Sequence, residues 1–176
     1  MCSRDEALKS LSRIPRPMGI PGPIGATKET LCGFVDRTGL VVPEPLAEWL
    51  RDVNGARIGP GGVLGIRPDD PYCDIETILH GYPEWVPNGW IPVAGDGCGN
   101  YYVLGPDCGM HPICFINTSS DYLKPAYLVA SGIWPFLRFL FDYEIGERRW
   151  PFSRAYVIAH DPGITSCSVA RMPWDT

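Results

Sequence analysis

The sequence predicts an α+β fold, with an antiparallel β-sheet packed against several helices in a single domain. Three observations carry this. Apolar residues recur at helical spacing in two segments, Leu46 to Val53 and Ile133 to Phe141. Between them lie short runs rich in β-formers, punctuated by Gly, Pro and Asp, which is the pattern of hairpins. The order of helices, then strands, then a helix favours an antiparallel sheet over alternating βαβ units. A chain of 176 residues fits one domain with a sizeable core.

Ser3-Arg4-Asp5-Glu6 has the form of a capping box, and Ala7, Leu8 and Leu11 follow it, so a short amphipathic helix is expected over about residues 4–13. Pro and Gly then crowd residues 15–25 too densely for regular structure. Residues 1–25 therefore read as a helix and a Pro/Gly-rich arm outside the main fold, with the principal domain at 26–145. A second helix starts near Thr27, buries Leu31, Phe34 and Val35, and ends at Thr38-Gly39. In the third, Pro43 and Pro45 stand at the start, where a missing N–H costs nothing, and Leu46, Trp49, Leu50 and Val53 form one stripe. Trp49 is accordingly expected in the core.

Val63 to Ile66 reads as a first strand, and Asp74 as the cap of a helical turn reaching Leu79. Trp90 to Ala94 and Tyr101 to Leu104 read as strands joined by the loop Gly95-Asp96-Gly97-Cys98-Gly99-Asn100, whose glycines supply positive φ. Ile113 to Ile116 and Tyr127 to Ala130 follow as strands, and Ser131 is the expected cap of the last strong helix. Residues 146–176 form a C-terminal extension. Its Trp150, Phe152, Tyr156 and Val157 are expected to pack on the domain rather than stand in water.

Composition narrows the function. A net charge of −5 argues against non-specific nucleic-acid binding, which needs a basic face. No stretch approaches the roughly 20 apolar residues of a membrane span, and no apolar signal region follows the charged N-terminus. The expectation is a cytoplasmic protein with no membrane contact. The seven cysteines are scattered without a CxxC and read as buried hydrophobes or free thiols.

Three constellations have a possible chemistry and a plainer reading. The loop of residues 95–100 lacks both the Lys-Ser/Thr of a phosphate loop and the acidic ladder of a calcium loop, and a hairpin turn explains its glycines. Cys98, Cys108, His111 and Cys114 lack a common zinc spacing. Cys108 with His111 lacks an orienting third group, and no nucleophile signature is present. The reading is therefore no enzyme, with no catalytic residue, no cofactor and no metal.

Four segments in order carry a resemblance: Val42 to Gly55, a proline-led helix ending in Asn-Gly; Trp90 to Leu104, a strand ending Ile-Pro, a Gly-Asp-Gly turn and an aromatic return; His111 to Ile116; and Ala130 to Leu137. Together they resemble the SUKH superfamily of Smi/Knr type. Gly132-Ile133 departs from the family's Ser-Phe at the last helix. The resemblance implies a non-catalytic protein-interaction module. For bacterial members that means immunity proteins that neutralise polymorphic, often nuclease, toxins. For fungal relatives it means regulators of cell-wall synthesis acting through protein partners. A toxin that binds phosphates presents a basic channel, and an acidic protein covering it gains encounter rate. The expected partner surface is therefore the acidic stretch Asp69, Asp70, Asp74 and Glu76 with the hairpin face, Trp85, Asp96 and Tyr102.

Overall fold

The computed structural model describes residues 4–15, 24–106, 109–146 and 152–175. Its helices are α1 (Arg4–Leu11), α2 (Lys28–Thr38), α3 (Glu44–Asp52), α4 (Ile75–Gly81), α5 (Ile133–Glu144) and α6 (Arg154–His160). Its strands are β1 (Ile91–Gly95), β2 (Tyr101–Leu104), β3 (Ile113–Ile116) and β4 (Tyr127–Ala130). The strands form one antiparallel sheet in sequence order, β1-β2-β3-β4, as expected for successive short connections.

Local signals fix most boundaries. The Thr27 hydroxyl accepts from the Thr30 N–H at the start of α2, and Gly39, at φ 72°, closes it. Helix α3 begins on Pro43 and buries Leu46, Trp49 and Leu50. Trp49 meets Trp134 edge-on at 6.4 Å and Phe141 at 5.9 Å, which locks α3 to α5.

Three expectations need correction. Residues 63–66 do not form a regular strand. Val63 makes isolated bridges to Ala56 and Ala94, and Gly65 bridges Asp74. Gly65 lies so close to the next segment that a Cβ there would sit 2.4 Å from the Asn54 carbonyl carbon, and backbone this crowded cannot extend as a ladder. Ser131 does not cap α5, whose N-cap position is Gly132 with no side-chain bond. The Ser131 hydroxyl instead donates to buried Asp161 at 2.5 Å. The first helix, finally, is not an arm outside the fold. Ala7 and Leu11 are buried, Ser10 donates to Asp142 of α5 at 3.1 Å, and Arg4 grips Asp52 of α3 at 2.6 Å.

Helix α5 explains why both ends of the chain come to it. Beyond the expected stripe it also buries Phe139, so the helix is apolar nearly all round and needs cover on its outer side. Helix α1 covers part of it. Phe152 and Tyr156 cover another part, each ring 5.6 Å from Phe139. At the centre sits the carboxylate of Asp142, 2% exposed, accepting from Ser10, from Arg138 at 2.8 Å and from the Tyr156 hydroxyl. The expected contact of Trp150 lies outside the described residues.

Both sheet edges are covered. The Leu64 N–H donates to Val93 of β1 at 2.9 Å and the Gly95 N–H to Gly62 at 3.1 Å. At the other edge the Leu128 N–H of β4 donates to the Arg171 carbonyl at 2.8 Å, and the Arg171 guanidinium returns a bond to the Ala126 carbonyl.

Candidate functional site

The acidic stretch folds into a set of ion pairs and one structural cap. Asp74 is 3% exposed and caps α4: one oxygen accepts from the Thr77 N–H and hydroxyl, each at 2.8 Å, the other from the Arg67 N–H at 2.8 Å. Asp74 therefore cannot belong to an exposed rim. Glu76 receives a two-pronged bond from Arg37 of α2 at 2.6 and 2.9 Å. Arg67 holds Asp69 in the same way, both bonds 2.9 Å, and that hydrogen bonding keeps the Asp69 carboxyl below its ordinary range. Arg57 stands 3.7 Å from Asp70. Each carboxylate of the expected rim thus has an arginine partner or an internal role, and the local surface is near charge balance.

Arg57, the partner of Asp70, lines a cleft of about 540 Å³. One wall is the segment of residues 57–62, a second is the 3-10 turn Pro71–Cys73, and a third is the β1–β2 hairpin loop. Glycine forms much of the lining because two backbones touch there. A Cβ on Gly61 would sit 2.4 Å from the Gly95 carbonyl carbon and 2.6 Å from the Gly97 nitrogen. Asp96 shapes the hairpin loop, accepting from the Cys98 and Asn100 N–H groups at 2.7 and 3.0 Å and from the Asn100 amide at 2.7 Å. The walls therefore expose peptide groups together with the side chains of Arg57, Tyr72 and Tyr101.

Tyr72 stands out. It is 82% exposed, at the rim of the cleft, and the Arg57 side chain opposite is 79% exposed. An aromatic ring left so open loses the burial that normally favours folding and is a common interface anchor. Neither residue belongs to a periodic stripe or a motif in the sequence. The available signal was an aromatic directly after Pro71 in a loop otherwise made of Asp, Arg and Pro.

Trp85 is fully buried, stacked on Tyr82 at 4.5 Å with its indole N–H donated to the Tyr122 carbonyl at 2.8 Å. Of the two tryptophans near the loop it is the core member, while Trp90 is half-buried 6.4 Å away. Trp85 therefore cannot serve as an exposed anchor. Tyr102 is also mostly buried, at 7% exposure, and points to a different place, a second cleft of about 200 Å³ between the sheet and α5. Burial is the main cause that pushes its hydroxyl above the ordinary tyrosine range, with Tyr127 and Asp96 adding to it.

Cys108, part of the possible zinc set, lies outside the described residues. Cys114 is buried in β3. Burial raises the Cys73 thiol, and nearby Asp70 raises it further, which disfavours a reactive thiolate. Among the described residues no group of three or more His, Cys, Asp or Glu side chains is placed to hold a metal ion, and no helix is long and apolar enough to cross a membrane.

The family model that matches the chain is described as the SMI1 / KNR4 family (SUKH-1), and the match runs over residues 25–138. It spans the arc from the approach to α2 to the middle of α5 and includes all three walls of the hairpin cleft. No curated protein and no solved structure matches the chain significantly.

Proposed function

We propose, since this chain belongs to the SMI1 / KNR4 family (SUKH-1), that it is a protein-binding module of the immunity kind and neutralises a partner toxin by occluding its active surface. The observation that carries this reading is the exposed Tyr72 at the mouth of a glycine-walled cleft, flanked by Arg57, Asp69 and Asp70. An aromatic anchor, reachable peptide groups and a polar rim form the usual anatomy of an interface. The net charge of −5 favours encounter with a basic partner at long range, while the paired rim selects geometry at short range.

The test is co-expression with the product of the gene adjacent to this chain's own, scored by survival and by pull-down. Tyr72→Ala is expected to weaken the complex by about 30-fold, since anchors of this kind contribute about 2 kcal/mol, with the thermal midpoint unchanged. Asp69→Lys with Asp70→Lys is the appropriate charge reversal, because Asp74 is internal. The double variant is expected to weaken binding most at low salt. Full protection by the Tyr72→Ala chain would remove this cleft from the reading. Capture of a cell-wall regulator in place of a toxin would transfer the chain to the regulatory branch.

A further inference from the structure

The second cleft has a different chemistry from the first. Tyr102 of β2, Phe115 of β3 and Tyr127 of β4 stand side by side in register across three strands. Tyr102 and Phe115 are 5.3 Å apart, and Phe115 and Tyr127 stack at 5.0 Å. Phe136 of α5 closes on Tyr102 at 5.1 Å, and Tyr143, 36% exposed, stands at the same cleft. Asp96 joins these rings in the lining. Its hydrogen-bond donors are the neutral amides of Cys98 and Asn100, so its negative charge has no cationic partner among the described residues. Aromatic walls with one uncompensated carboxylate attract an organic cation. Ring quadrupoles and the charge act together in a partly desolvated space, where such contacts are strongest.

We propose that this cleft binds the charged tip of a basic side chain, an arginine or lysine presented by the protein partner. The identity of that source rests on the protein-binding reading above, whereas the cation preference rests only on the cleft. Its volume of about 200 Å³ suits one side chain rather than a cofactor, and the chain's net charge of −5 suits a basic partner. Pro60 and the 95–97 turn separate this cleft from the one beside Tyr72, so one partner surface can engage both.

The experiment titrates the intact chain with capped arginine, capped lysine and capped citrulline, the last an uncharged isostere of arginine. The ring resonances of Tyr102, Phe115 and Tyr127 are followed by NMR. Arginine or lysine is expected to shift them, with citrulline at least about tenfold weaker. Asp96→Asn keeps an acceptor oxygen for the Cys98 and Asn100 N–H groups, gives up the bond from the Asn100 side-chain amide, and is expected to weaken the cation about tenfold. Tyr143→Ala, at an exposed position, is expected to weaken it without loss of fold. Equal binding of citrulline, no shift with any cation, or an Asp96→Asn chain that binds arginine as the parent does would each overturn the proposal. These outcomes are separable from the Tyr72 pull-down, because the titration needs no partner.

Discussion

Replacing Asp142 with asparagine tests whether the two ends of the chain are part of one cooperative unit. The carboxylate is 2% exposed and accepts from Ser10 of α1, Arg138 of α5 and Tyr156 of α6. Removing one partner of a buried ion pair costs about 3–5 kcal/mol, because a desolvated charge is left behind. Asparagine keeps one acceptor oxygen, and the Arg138 side chain is 21% exposed and partly hydrated, so the low end, about 3 kcal/mol, is expected. In a domain of this length that lowers the thermal midpoint by roughly 6–12 °C. Ser10→Ala should cost about 1 kcal/mol and Tyr156→Phe about 2 kcal/mol, and both costs should shrink in the Asp142→Asn background because the partner is already altered. Urea and thermal unfolding followed by circular dichroism give the sizes, and hydrogen exchange in α1 and α6 gives the location. If Asp142→Asn costs no more than Ser10→Ala, or if α1 amides keep their protection, the carboxylate does not tie the ends to α5.

Trp49 is fully buried and its indole nitrogen has no hydrogen-bond partner among the described residues. Trp49→Ala should cost about 3–5 kcal/mol, while Trp49→Phe, which also removes the orphan donor, should cost about 1 kcal/mol; urea midpoints decide. Gly61→Ala should push the 57–62 wall off the hairpin, at about 1–3 kcal/mol and with loss of partner binding. Gly81→Ala, which meets nothing within 4 Å, should be neutral or stabilising in the same assay. Burial raises the Asp161 carboxyl, and its two bonds from Ser131 only partly offset that. The folded state therefore holds this proton more tightly than the unfolded chain. The resulting stabilisation is complete below about pH 4, the unfolded value, and fades as pH rises through the raised folded value. Asp161→Asn lacks this titration, so its stability deficit relative to the parent should narrow with rising pH. A gap that widens instead would reverse the sign.

The elements that a reader can take from the sequence are those whose signals are local. Thr27 and Gly39 bracket α2, Pro43 opens α3, and the glycine loop before Tyr101 turns the hairpin, each within a few residues of its cause. The strand expected at residues 63–66 does not form, because β-formers there are interrupted by contacts with Asn54 and Cys73 that no local pattern records. The same limit applies to the site. The run Asp69 to Glu76 is plainly acidic in sequence, but neutralising Arg37 lies 39 positions from Glu76 on another helix. The sequence suggests one face for Asp96, Tyr102 and the acidic loop, but folding turns Tyr102 to the second cleft, opposite its strand neighbour Tyr101, and sets Asp96, in the loop after β1, in the same second cleft. Tyr72 gave no periodic signal at all, since its position depends on a 3-10 turn.

The covered sheet edges bear on how such a chain can be stockpiled. A strand with open N–H and C=O groups is a template on which another chain can pair, and the hazard grows with concentration. Here residues 62–64 occupy the ladder beside β1, and the segment around Arg171 occupies the one beside β4. A protein held ready for a partner, as proposed for this chain, must stay dispersed until the partner arrives. These two short flanking segments, neither of them a strand in its own right, supply that resistance to self-association while leaving the tyrosine-rimmed and aromatic clefts open to something else.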